Sequence, residues 1–394
     1  MTEMHHDSPT RYHGLDFLRA LMMSLGVVLH TAQIYLTVNA VDYYWDSARS
    51  PSMDVLLFFI NTFRMPVFFL LSGFFTALLL ERRGESAMLT NRWQRIGLPF
   101  LIFLPPLALI MTGLRVIARH VMQTGEFGFD PALLDAAHPV WDNTHNLWFL
   151  YYLSMHLVTL WLVLAAWRRL GSRTQAGLST LLAERAIYTR SLLVAMSLLL
   201  AALGATEWSG RVTAKLSFVP SLWVYLNFGL CFGFGWLLYW RRQDLEVLAS
   251  RWRKDLIIAS VLFLMATALV LTKAPVEAAS YPLQHTLLCL VTGFSIVHYM
   301  LGFVGLFCRF SQRHNPWVRY FSDSAYWIFI FHSIPLVAVA LLLHDLAAPA
   351  EIKFLVVCIS TLALCLVSYQ GFVRNSAIGQ LLNGRRINST PWHD

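Results

Sequence analysis

Apolar runs separated by short polar segments recur along the whole chain. A helix needs about 20 mostly apolar residues to cross the hydrocarbon core of a bilayer. On that measure the pattern predicts ten spans, at residues 15–37, 53–80, 97–118, 145–167, 191–207, 221–240, 256–272, 283–308, 324–344 and 353–373, the fifth and seventh being short. No internal repeat and no low-complexity linker divides the chain. The predicted fold is all-α: a polytopic membrane helix bundle over 15–373, with an N-terminal tail at 1–14 and a C-terminal tail at 374–394. The first run follows the polar stretch MTEMHHDSPTRYHG and contains Arg19 and His30, so it reads as a retained span and not as a cleaved signal peptide.

Composition supports this class. Hydrophobic residues make up 57% of the 394 and charged residues 13%, against about 45–50% and about 25% in soluble domains. The net charge of +8 does not indicate nucleic-acid binding, because the basic residues sit between apolar runs as topology signals do. With the N-terminus inside, the inner segments carry 21 Lys and Arg and the outer ones seven, leaving Arg19 and Arg64 within spans. Both termini are therefore expected on the cytoplasmic side. The five cysteines lie in or at the edges of apolar runs without a CxxC pair. They read as small hydrophobes, and no metal site is expected.

Charged and titratable groups within spans are costly and face a cavity or a partner. Asp16 and Arg19 are three apart in the first span, neighbours on one helix face. His30 follows Arg19 by eleven positions, within roughly 20° of the same face and about 16 Å further along. This stripe is either an ion pair plus a carbonyl-bonded histidine or a surface for one elongated ligand. A neutral His30 is a natural general base for a hydroxyl. Arg64, in FRMPVFFLLSGFF, lies near mid-bilayer, where it needs an ion pair or a polar cavity. Pro66 is expected to bend that helix, and Ser72 and Gly73 to permit close packing.

Arg92 and Arg95, in TNRWQRIGLP, present two guanidinium forks on one face of a short helix. They suit phosphate groups or serve as a topology signal. HNLWFL places His145, Asn146 and Trp148 at an outer mouth, with Trp148 alternatively an interfacial belt residue. Tyr43, Tyr44, Trp45 and Trp141 read as belt aromatics. In FSDSAYWIFIFHSIP, Asp323 and Ser324 are expected to cap the ninth span, with His332 roughly 12 Å into it.

These five pieces, in this order, resemble the acyltransferase 3 family of membrane acyltransferases over nearly the whole chain. Within it the chain is most similar to the glucans biosynthesis protein C group, associated with succinylation of periplasmic glucans. The resemblance implies a bundle of about ten helices in the bacterial inner membrane. It implies an acyl-CoA donor from the cytoplasm, succinyl-CoA for this group, and a periplasmic glucan hydroxyl as acceptor, alongside other glucan-biosynthesis proteins. It makes His30 the essential histidine, Arg19 the matching arginine, and Arg92 and Arg95 the RxxR pair. No cofactor beyond acyl-CoA as co-substrate is expected.

Combining residues and resemblance, Arg92 and Arg95 would hold the CoA phosphates, and the acyl arm would extend up one polar cavity past Arg19, itself oriented by Asp16. His30 would take the proton from a hydroxyl entering past His145 and Trp148. Arg64 or His332 would stabilise either the oxyanion or an acyl carboxylate. No nucleophile motif supports an acyl-enzyme, and Ser72 reads as a packing residue, so direct transfer is expected. The rival readings are a transporter or flippase and a structural subunit of a glucan export complex.

Overall fold

The structure, a computed structural model, describes residues 12–38, 44–134, 143–171, 190–310 and 315–384. Tyr43, Trp141, most of both tails and the basic residues Arg173, Arg185 and Arg313 lie outside them. Helices are the regular secondary structure of the described residues, joined by loops, with one isolated bridge between Asn143 and Ser217. In chain order the helices are α1 (His13–Ala32), α2 (Pro51–Arg92), α3 (Leu98–Thr124), α4 (Trp148–Arg169), α5 (Arg190–Gly204), α6 (Leu222–Trp240), α7 (Asp244–Leu271), α8 (Tyr281–Phe310), α9 (Pro316–Phe331), α10 (Ser333–Leu342), α11 (Ala350–Ser368) and α12 (Ala377–Asn383).

Among the described residues, seven helical runs are long and apolar enough to cross a membrane, and the bent pair α9–α10 makes an eighth. One run, residues 51–124, is 74 residues long, several times what a crossing needs. It breaks at Gly84 (φ 77°, ψ 172°) and passes through a π-helical turn at Trp93–Gly97. The start of α2 and the end of α3 line one cavity, while the end of α2 and the start of the next segment line another. The run is thus two antiparallel crossings. With the 15-residue α5 the apolar segments fall at the ten places the hydropathy pattern set them. The chain is a multi-pass membrane protein.

Three details differ from expectation. The seventh helix is not short: it begins at Asp244 and runs 28 residues, because its polar first turns extend the helix beyond the apolar stretch. The N-cap of α9 is Asn315, whose side chain accepts from the backbone N–H of Trp317 and Val318. Asp323 and Ser324 therefore lie inside the helix. Pro66 sits within α2, but the non-helical residue is Gly84. Glycine tolerates that positive φ without a Cβ clash.

Small residues bring helices into contact. A Cβ on Gly73 would run into the Phe232 carbonyl, and one on Gly235 into the Leu70 carbonyl, so α2 and α6 pack backbone to backbone. Ser72 donates to the Phe68 carbonyl of its own helix, as a packing residue would. Lys353, by sequence an outer charge, is instead fully buried. It bonds both carboxylate oxygens of Asp46 at 3.0 Å and ties the loop after α1 to α11. Tyr44 is buried in the same cluster, bonded to Asp46 and His344, and is not a belt residue. Four of the five cysteines are buried, Cys308 being partly exposed.

Candidate functional site

Two cavities among the described residues hold most of the residues singled out by the sequence. The near cavity opens toward the face where α1 begins and measures about 460 Å³; the far cavity lies toward the opposite face and measures about 700 Å³. Asp16, Arg19, Arg92 and Arg95 all line the near cavity. His30, Arg64, His145 and Trp148 all line the far one. The polar stripe of α1 therefore serves two chambers, not one continuous passage. Phe68 and Phe149 line the near cavity and not the far one, and Phe149 packs edge-on against Phe68 (4.7 Å) and Phe329 (4.6 Å), an aromatic layer that is the candidate partition between the two.

In the near cavity, Arg19 pairs with Asp16 at 3.0 Å, one helical turn away, and lies 4.8 Å over the Phe75 ring. Arg82 and Arg83 add two further guanidinium groups to the lining. Arg92 closes α2 and Arg95 stands in the π turn, so the expected short helix is the junction of two crossings. The Arg92 Nε is buried without a hydrogen-bond partner among the described residues. Arg95 donates to the Leu382 carbonyl at the end of α12, and its own carbonyl accepts from the Tyr326 hydroxyl. Gly384 takes φ 74° there, and a Cβ would strike the Arg95 guanidinium. A cluster of forked cations lined by few carboxylates suits a polyanion.

In the far cavity, His30 Nδ1 donates to Gln33 Oε1 at 2.8 Å, one turn ahead on the same strand of backbone. That bond leaves the lone pair on Nε2, the form a general base requires. Arg64 is 6% exposed and donates from Nε to the Met22 carbonyl at 2.9 Å. Gly26 makes room for it: a Cβ there would lie 2.7 Å from Arg64 Nη2 and 3.7 Å from His332 Nε2. His332 is fully buried, with its ring 5.3 Å from that of His30.

His332 stands where α9 and α10 meet at 66°. Pro335 lacks the N–H that would continue the helix ladder, which accounts for the bend. The carbonyls exposed by the break need donors in an apolar setting. His332 Nδ1 donates to Phe329 O at 2.7 Å, and Asn146 Nδ2 reaches the same carbonyl at 2.8 Å. His332 Nε2 has no hydrogen-bond partner among the described residues. Opposite, His145 is the one described non-glycine residue with positive φ (49°), its N–H held by Asn143 Oδ1 at 2.7 Å. Trp148 is 7% exposed and packs against Phe228 at 5.5 Å, so it is a cavity wall and not a belt residue.

Several lining residues escaped sequence reasoning. Gly26 and Gln33 sit at i−4 and i+3 of His30, a helical spacing that marks them as neighbours. Arg115 and Arg211 read only as outer charges, yet both line the far cavity. Burial lowers Arg211 to about 10, Glu207 opposing the shift, so it remains cationic near neutrality. No group of three or more His, Cys, Asp or Glu that could hold a metal occurs among the described residues.

The fold and site together are a polytopic membrane bundle with an oriented histidine in one chamber and an arginine cluster in the other. The acyltransferase domain of the acyltransferase 3 family matches residues 12–370, and the chain belongs to that family. Glucans biosynthesis protein C from Escherichia coli O1:K1 and from E. coli O139:H28 are each 33% identical to it over 146 residues, 36% of this chain and 36% of theirs. The match thus spans about a third of the length of those relatives. No solved structure matches the chain.

Proposed function

We propose that this protein transfers an acyl group, succinyl on the group resemblance, from cytoplasmic acyl-CoA to a hydroxyl of a periplasmic glucan, with both termini in the cytoplasm of the inner-membrane-bound chain. The observation that carries the reading is His30, whose Nδ1 is fixed by Gln33 and whose ring lies in the far cavity beside Arg64.

In this reading the near cavity faces the cytoplasm. Arg92 and Arg95, with Arg82 and Arg83, bind the CoA phosphates, and Arg19, oriented by Asp16, guides the acyl-bearing arm. The thioester reaches the far cavity past the Phe68–Phe149–Phe329 partition, which requires at least one ring to turn. Phe149 is the candidate, since it touches both others. The acceptor hydroxyl enters between His145 and Trp148. His30 Nε2 takes its proton as the oxygen attacks the thioester carbonyl. Arg64 faces the resulting oxyanion, and His332, with Nδ1–H committed to Phe329 O, shapes that pocket. Collapse breaks the C–S bond, the new ester forms, and the protonated His30 returns its proton to the departing thiolate.

The test is transfer by purified protein reconstituted in bilayers, with succinyl-CoA and a glucan oligosaccharide. Wild type should release free CoA and add the acyl mass to the glucan. His30→Ala, inserted and folded, should do neither; normal turnover by that variant sinks the assignment.

A further inference from the structure

Arg211 lies in the loop between α5 and α6 and takes no part in the steps above. It is only 9% exposed, its guanidinium lies 5.3 Å over the Phe58 ring, and its Nε is buried without a hydrogen-bond partner among the described residues. It lines the far cavity together with Arg64 and Arg115, and no Asp or Glu stands among that cavity's described lining residues. Glu207, the acid nearest in charge influence, is shared with Lys215 at 3.3 Å. Burying a guanidinium costs several kcal/mol unless an anion meets it. A neutral acyl group and a neutral sugar would bring no negative charge to a cavity whose described lining holds three arginines.

We infer that Arg211 is the residue that selects the acyl group, receiving the carboxylate at the free end of a dicarboxylic acyl chain whose thioester carbonyl lies between His30 and Arg64. This rests on the far cavity being the transfer site. Phe58, on which Arg211 lies, precedes Arg64 by six positions on α2, roughly 9 Å toward the far face. Arg211 therefore enters from nearer the far face than Arg64, and both side chains line the one cavity. An anionic acceptor is the weaker candidate, because a slim chain end reaches a guanidinium with no exposed Nε whereas a ring-bearing polymer meets the cavity rim. A planar fork on a carboxylate discriminates strongly against a donor whose chain ends in a methyl, because the buried cation is then left unpaired.

The experiment compares succinyl-CoA with butyryl-CoA, which replaces the carboxylate by a methyl group, using full-length protein in bilayers and a neutral glucan acceptor. Wild type should prefer succinyl-CoA in kcat/KM, and in Arg211→Met the succinyl-to-butyryl ratio should fall by about 100-fold, with Arg211→Lys between them. An equal fall on both donors, an unchanged ratio, or a preference that tracks the charge of the acceptor and not of the donor would overturn the inference. A second measurement is independent of turnover: monomethyl succinate should raise the Tm of wild type and not of Arg211→Met, and no difference between them counts against it. Should wild type transfer neither acyl group, the transferase reading fails, and the Tm comparison alone decides the role of Arg211.

Discussion

The imidazole of His30 and that of His332 lie with ring centroids 5.3 Å apart, although the residues are 302 positions distant in sequence. The two rings meet because Gly26, one turn before His30, leaves an opening on α1 that admits His332 and the guanidinium of Arg64. Both rings commit Nδ1 to an acceptor, His30 to Gln33 and His332 to Phe329 O. Each ring is thereby fixed in orientation, and small changes around the pair should be felt in turnover before stability.

Gln33 acts through His30. Gln33→Leu removes the acceptor that holds the tautomer and ring orientation, so kcat should fall by about 10–100-fold with little change in KM for acyl-CoA. Gln33→Glu keeps an acceptor and should recover much of the rate. Steady-state assays of the three proteins decide; equal rates would show that His30 needs no such support.

Gly26→Ala places a methyl group 2.7 Å from Arg64 Nη2. The flexible guanidinium can shift, so the fold should survive with Tm changed by a few degrees at most. Its bond to the Met22 carbonyl and its aim at the cavity should not survive. A drop in kcat of about 100-fold, the scale of losing one oxyanion donor, is expected in a folded protein.

Phe149 fills the partition between the cavities by its contacts with Phe68 and Phe329. Phe149→Ala should join the chambers and admit water to the thioester. CoA release without acceptor should then rise relative to acceptor-dependent release. If the uncoupled fraction stays at the wild-type level, the aromatic layer does not separate the two sides.

Arg92→Ala and Arg95→Ala together should weaken CoA binding by at least about tenfold, the loss of two charge-assisted contacts. Added salt should weaken wild-type binding and affect the double variant less. Calorimetric titration of CoA at two ionic strengths measures both effects, and unchanged affinity would reduce the pair to a topology signal.

Lys353→Met leaves Asp46 fully buried without its cation, which should cost about 3–5 kcal/mol. Thermal unfolding in detergent should show a lower Tm, and adding Asp46→Leu should restore part of it, because the buried charge is then gone as well.

The hydropathy pattern by itself determined the ten apolar segments, because a bilayer demands about 20 apolar residues per helical crossing whatever the partners are. It also singled out Asp16, Arg19, His30, Arg64 and His332, since polar groups within spans stand out against apolar neighbours, while Arg92 and Arg95 were marked by their spacing at a span end and His145 and Trp148 by their place at an outer mouth. Helical spacing on α1 placed Arg19 and His30 in one stripe. Only the tertiary structure assigned that stripe to two cavities, because the side chains that divide them come from α2, α4 and α9 and carry no polar signal. Only packing distinguished Arg211, in a loop, and Lys353, in the first turn of α11, from ordinary outer charges, since burial of such a residue depends on which elements close over it. The cap at Asn315 and the full length of α7 were missed for a local reason: polar first turns look like loop until a neighbouring helix packs against them.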